Sequence, residues 1–158
     1  MTQNENSFKK NSRINPLPFK QIFWLSFLVI SLAYAWYSFY VPSDDIDWVN
    51  DVTSMKDLTN NSDKNTLVFI TGKWCSPCRI MKREVFSDQE VEKIINSQFI
   101  PVMIDIDNII TKDIIQHYKV RATPTTIIIN SHGEVLYLFA GKIEKKRFLE
   151  ILSEFEPK

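Results

Sequence analysis

The chain has 158 residues, its 19 Lys and Arg balanced by 19 Asp and Glu, and 44% of it is apolar. With no net charge and no basic stripe there is little to neutralise a phosphate backbone, so nucleic acid is not an expected partner. Cys75, Cys78, His117 and His132 are its only cysteines and histidines. The histidines stand far apart with no partner at ligand spacing, so neither a zinc site nor any other metal or cofactor is expected.

Residues 1–20 form a polar segment containing Pro16-Leu17-Pro18, read as a disordered cytoplasmic tail. From Ile22 to Val41 runs IFWLSFLVISLAYAWYSFYV, and the 23 residues between Lys20 and Asp44 carry no charge. About 20 apolar residues suffice to cross a bilayer. Phe23 and Trp24 at one end, and Trp36, Tyr37 and Tyr40 at the other, match the aromatic belts of the two interfaces. The expectation is a transmembrane anchor over 21–41. Lys9, Lys10, Arg13 and Lys20 precede it and Asp44, Asp45 and Asp47 follow. The positive-inside rule then keeps the N-terminus in the cytoplasm and puts the rest in a periplasm or its equivalent. A signal peptide cleaved after Ala33-Tyr34-Ala35 is the competing reading, against which stands the aromatic run continuing past Ala35. Either reading exports the same domain.

After a short tether (42–47), residues 48–158 have the size of one domain with its own core. From Ser43 onward there are 15 Lys and Arg against 18 Asp and Glu. TLVFIT (66–71) is an apolar, β-branched run of the kind buried on both faces of a sheet, and FIPVMIDI (99–106) and TTIIIN (125–130) repeat it. VLYLFA (135–140) follows across Ser131-His132-Gly133, which is hairpin punctuation. Helical stretches are predicted from near Cys75, over Asp88–Ser97, over Ile109–Tyr118 and over Glu144–Phe155. Ser87 and Glu90 have the spacing of a capping box for the second of these. The order implies a mixed α/β sheet covered by helices.

GKWCSPCRI (72–80) holds both cysteines. As a staple they would close too small a loop to constrain the unfolded chain much, which leaves a redox pair. Three landmarks together resemble the thioredoxin-like superfamily: Trp74-Cys75-Ser76-Pro77-Cys78 after the first buried strand, Ala122-Thr123-Pro124-Thr125 ahead of another, and Gly141 between the last strand and the last helix. The stretch CRIMKREVFSDQEVEKIINSQFIPVMIDID is similar to exported members of that superfamily and to the C-terminal domain of Dsb-type membrane thiol transporters. The resemblance implies a thioredoxin fold preceded by one transmembrane helix, a cis bond before Pro124, and protein thiol–disulfide oxidoreductase activity through Cys75 and Cys78. Its implied partners are exported disulfide-bearing proteins or peptides, with a membrane thiol transporter as electron donor and the lipid bilayer around the anchor.

The same resemblance exposes a departure. The buried aspartate of cytosolic thioredoxin aligns with Phe69 and its lysine neighbour with Met103, so both members of that polar pair are apolar here. Glu84, a water, or nothing are the open replacements.

Cys75, expected at a helix N-terminus where unpaired N–H groups stabilise a thiolate, is read as the attacking sulfur. Cys78, one turn inside and expected to be the more buried, is read as the resolving one. Pro77 fixes the first turn, Trp74 shields the pair beside a substrate groove, and Thr123 with Pro124 supports it. Lys73 and Arg79 read as solvated flanks, His117 as a helix C-terminal residue, His132 as a turn residue, and KIEKKRF (142–148) as a solvated helix face. Two rival functions share these residues: Cu(I) held by the two thiolates, with Met81 nearby, and a non-catalytic chaperone module on the same fold.

Overall fold

The computed structural model describes residues 18–50, 52 and 63–156. Most of the expected tail, up to Leu17, lies outside them. Helix α1, Phe19–Phe39, is 21 residues long with no buried side chain and is a unit of its own. By length and composition it is able to cross a membrane, a test that a signal sequence also passes. At 1.5 Å per residue it spans about 30 Å, the thickness of a hydrocarbon core.

The second unit runs from Tyr40. Its elements are β1 (Asn65–Thr71), α2 (Ser76–Met81), a π turn (Lys82–Phe86), α3 (Gln89–Gln98) and β2 (Phe99–Asp105). Then come a 3₁₀ turn (Ile109–Thr111), α4 (Lys112–His117), β3 (Thr125–Ile129), β4 (Val135–Ala140) and α5 (Lys145–Glu154). The sheet order is β2-β1-β3-β4. β1 pairs parallel with β2 and antiparallel with β3, and β3 pairs antiparallel with β4. Val49 extends the sheet beyond β2: its N–H donates to Pro101 O at 2.9 Å and its carbonyl accepts from Met103 N–H at 3.1 Å.

The two-residue period of β1 divides the core. Leu67 and Phe69 face the layer of α2, the π turn, α3 and α5, while Val68 and Ile70 face Val102, Ile104, Ile114, Ile127 and Ile129. Burial on both faces is why this strand reads as continuously apolar. Phe86 centres the first cluster, its ring 4.7 Å from Phe69, 5.2 Å from Trp48 and 5.5 Å from Phe148, all in edge-on geometry. Each such fully buried ring contributes about 1.5–3 kcal/mol of transfer free energy. β4 is different: although all apolar, it lies at the sheet edge and is largely exposed.

Two local expectations are corrected. The helix predicted from Cys75 is not one α-helix but α2 followed by the π turn, in which Ser87 N–H donates to Lys82 O at 3.1 Å. That wider turn uses up one more residue, so the cap of α3 is Asp88, whose carboxylate accepts from Glu90 and Val91 N–H groups. Ser87 makes no capping box; its hydroxyl donates to Arg83 O at 2.6 Å. Asp88 also accepts from Lys145 Nζ at 2.6 Å, which joins α3 to α5 and holds the carboxyl below the usual carboxylate range. Asp88→Ala is expected to cost about 1 kcal/mol through the lost cap. Because the folded carboxyl titrates below its unfolded value, its stabilisation is complete above the unfolded pKa and is lost as pH falls through the folded one. Urea unfolding of both proteins should therefore differ at neutral pH and converge in acid.

Candidate active site

The end of β1 delivers the cysteines. Cys75 N–H donates to Gly72 O at 3.0 Å, closing a turn after the strand, and Cys75 then caps α2 in extended conformation. Its sulfur accepts from Cys78 N–H at 3.2 Å, so one of the helix's otherwise unpaired donors points at it. Pro77 lies in the first turn, where its missing N–H costs nothing. The two cysteines are joined in a disulfide with Cα atoms 5.3 Å apart.

In this oxidised form the two are equally hidden, each 1% exposed, whereas the expectation is that Cys78 is the more buried. The bridge ties Cys75 Sγ to the buried Cys78, and the Cys78 N–H directed at it comes from the helix end. Trp74 is 66% exposed. Its indole N–H donates to Asp107 Oδ2 at 3.0 Å, a partner that the sequence reading did not supply. Gly72 makes room for that indole: a Cβ there would stand 3.3 Å from the Trp74 ring and from Ile106.

The second and third landmarks meet at the same end of the sheet. Ile70 is paired with Thr125, which sets Pro124 across from the strand end leading to Cys75. The Thr123–Pro124 bond is cis, and Pro124 is buried. Thr125 Oγ1 donates to Ala122 O at 2.7 Å, and Pro124 O accepts from Gly141 N–H at 2.7 Å, so the loop is tied on both sides. Gly141 has φ +135°, a backbone region that favours glycine. Thr123 Oγ1 is buried and makes no hydrogen bond within the described residues. His117 ends α4 and His132 sits in the β3–β4 turn, so neither belongs to the site.

Behind the pair, Phe69 is fully buried in the aromatic cluster and Met81 is in the same core. Glu84 does not replace the missing acid: its carboxylate faces outward, 3.8 Å from Arg83 and 3.7 Å from Lys142. The residue that reaches inward is Lys82, one turn past Cys78, with Nζ 3.3 Å from Met103 Sδ. Its signal in the sequence was the four-residue spacing from Cys78, which puts both on one helix face. Lys82 lines a cavity of about 270 Å³ together with Gly72, Lys73, Met103 and Asp105.

This arrangement permits two-electron chemistry between a dithiol and a disulfide at one capped helix end. The family model of the thioredoxin-like domain matches residues 52–156. Chloroplastic thioredoxin Y1 of Arabidopsis thaliana is 31% identical over 101 residues, covering 64% of this chain and 55% of that protein. A putative disulphide-isomerase from Bacteroides thetaiotaomicron superposes with a TM-score of 0.60 at 27% identity, over 71% of this chain and 93% of that one. The reduced C-terminal domain of DsbD from Neisseria meningitidis superposes with a TM-score of 0.54, over 65% and 90% of the two chains; at 17% identity it speaks for the fold alone. The chain belongs to the thioredoxin-like domain family.

Proposed function

We propose that this protein is a membrane-anchored thiol–disulfide oxidoreductase whose domain works outside the cytoplasm and reduces disulfides of exported proteins. The observation that carries the reading is the bridged Cys75–Cys78 pair at the cap of α2 with Cys78 N–H aimed at Cys75 Sγ. In the reduced protein, the Cys75 thiolate attacks a substrate disulfide, forming a mixed disulfide and expelling one substrate thiolate, which takes a proton from water. Cys78 then loses its proton and attacks Cys75 Sγ, forming the internal disulfide and releasing the second substrate thiol. The substrate gains two electrons and two protons; the protein loses them.

Trp74 and Pro77 border the pair on one side and Thr123 and Pro124 on the other, and together they receive the extended substrate. Anchoring is supported by the length and composition of α1, and the outward orientation by the basic flank before it and the acidic flank after it. The spent disulfide is reduced by a membrane thiol transporter, since an oxidising compartment offers no reducing thiol pool.

The direction of electron flow follows from what lies behind the sulfurs. Ser76 and Pro77 supply no imidazole between the cysteines, and Phe69 offers an apolar backing that withholds solvation from a thiolate. A less stabilised thiolate makes a less oxidising couple. Equilibration of the full chain against glutathione buffers is expected to give a potential at or below about −180 mV, the isomerase value. A clearly higher value would identify a disulfide-forming enzyme instead.

A further inference from the structure

One charged side chain enters the interior behind the pair without having a role in the reaction as described. Lys82 follows Cys78 by one helical turn, its own N–H donating to Cys78 O and Arg79 O, so its stem starts on the face that carries the resolving cysteine. It is half-buried, and its amine lies 3.3 Å from Met103 Sδ. Met103 is the β2 residue opposite Phe69 in the parallel ladder. A cation therefore stands beside the strand pair that backs the disulfide, delivered from the helix.

The cavity around it borders the turn that leads from β1 to Cys75. One wall is Thr71, Gly72 and Lys73, the segment whose carbonyl at Gly72 holds Cys75 N–H; another is Lys82 itself. Neither cysteine is among its lining residues. The charged groups facing the amine are Asp44 from the segment before the sheet and Asp105 from the end of β2, with Lys73 on the cavity's rim. Asn50, Asn108 and Thr111 complete the lining with neutral groups. Burial lowers the pKa of the amine below the ordinary lysine value, and Asp44 and Asp105 oppose that shift.

We propose that Lys82 is a positioning residue for thiol–disulfide exchange, its ammonium favouring the thiolate forms of Cys78 and Cys75 from the cavity behind them. This rests on the oxidoreductase reading and deepens it. When Cys78 resolves a mixed disulfide it must release its proton to solvent and become a thiolate; a fixed positive charge on the inner side lowers the cost of that ionisation. The cation moderates an otherwise apolar environment.

The test is the pH dependence of alkylation of the reduced full chain in detergent, followed by mass for each cysteine, together with the rate at which a preformed mixed disulfide on Cys75 is resolved. Lys82→Met is expected to move the alkylation midpoint upward by about one pH unit, so thiolate at neutral pH falls about tenfold. Resolution should slow severalfold. Lys82→Gln, which keeps a polar end in the cavity, is read in the same way should Lys82→Met fail to fold. Lys82→Arg should follow the wild type, as should Lys93→Met on the exposed side of α3. Superimposable profiles and unchanged resolution in Lys82→Met or Lys82→Gln overturn the proposal. An arginine variant that behaves like the uncharged ones overturns it too, because shape rather than charge would then matter. Since alkylation needs no physiological substrate, the outcome for Lys82 is separate from whether the protein proves to be a reductant.

Discussion

A Cys78→Ser variant is expected to accumulate substrates as mixed disulfides on Cys75, and a Cys75→Ser variant to accumulate none. The asymmetry comes from position within one helix turn. Cys75 is flanked by exposed Trp74, Ser76 and Pro77, so a small displacement of its sulfur brings it to the surface; Cys78 shares its helix face with the fully buried Met81. An N–H aimed at Cys75 Sγ stabilises charge on that sulfur and not on the other. Turnover should fall to background in both variants, since each lacks half of the two-step exchange. Trapping on non-reducing gels after thiol quenching distinguishes them, and equal trapping by the two would remove the assignment of nucleophile and resolver.

The largest effect on stability is expected at Phe69. Its ring lies 4.7 Å from Phe86 and 6.3 Å from Trp48, at the centre of the layer that supports α2. Truncation to Ala should cost about 3–5 kcal/mol, as for other buried aromatic rings. Phe69→Asp should cost more, because it places a carboxyl among apolar groups with no partner. Burial raises the folded pKa of such a carboxyl, so the folded state keeps its proton longer than the unfolded one does. The extra loss relative to Phe69→Ala should thus be small at acidic pH and grow as pH rises past about 4, the unfolded value. Urea unfolding of the three proteins across that range measures it, and an Asp variant as stable as the wild type would show that Lys82 or water reaches the new carboxylate.

These two sites also mark what could be read in the chain before its structure. Strands β1, β2 and β3 were legible because double burial leaves an unbroken apolar run, and the three landmarks located the site because each needs particular chemistry at a turn. The apolar replacements at Phe69 and Met103 were equally visible. Other features depend on three-dimensional context. Ser87 and Asp88 are both good caps, and only the π turn, which shifts the chain by a residue, selects the second. β4 has the composition of a central strand yet sits at the edge, because composition does not encode neighbours. Lys82 looks like any charged helix residue until Thr71, Met103 and Asp105, from two strands, make a cavity around its amine.

The order of strands in the sheet has a consequence for the newly made chain. Phe69 finds its partners in Met103 and Thr126, which are 34 and 57 residues further along. At about 5–20 residues per second, the ribosome needs on the order of seconds to add that length. Through that interval Cys75 and Cys78 have been synthesised but the strands that complete their surroundings have not. The nascent pair lacks the sheet behind it, the proline loop beside it and the cavity around Lys82. The folded surroundings of the pair therefore arrive only with the last third of the polypeptide, well after the two sulfurs themselves.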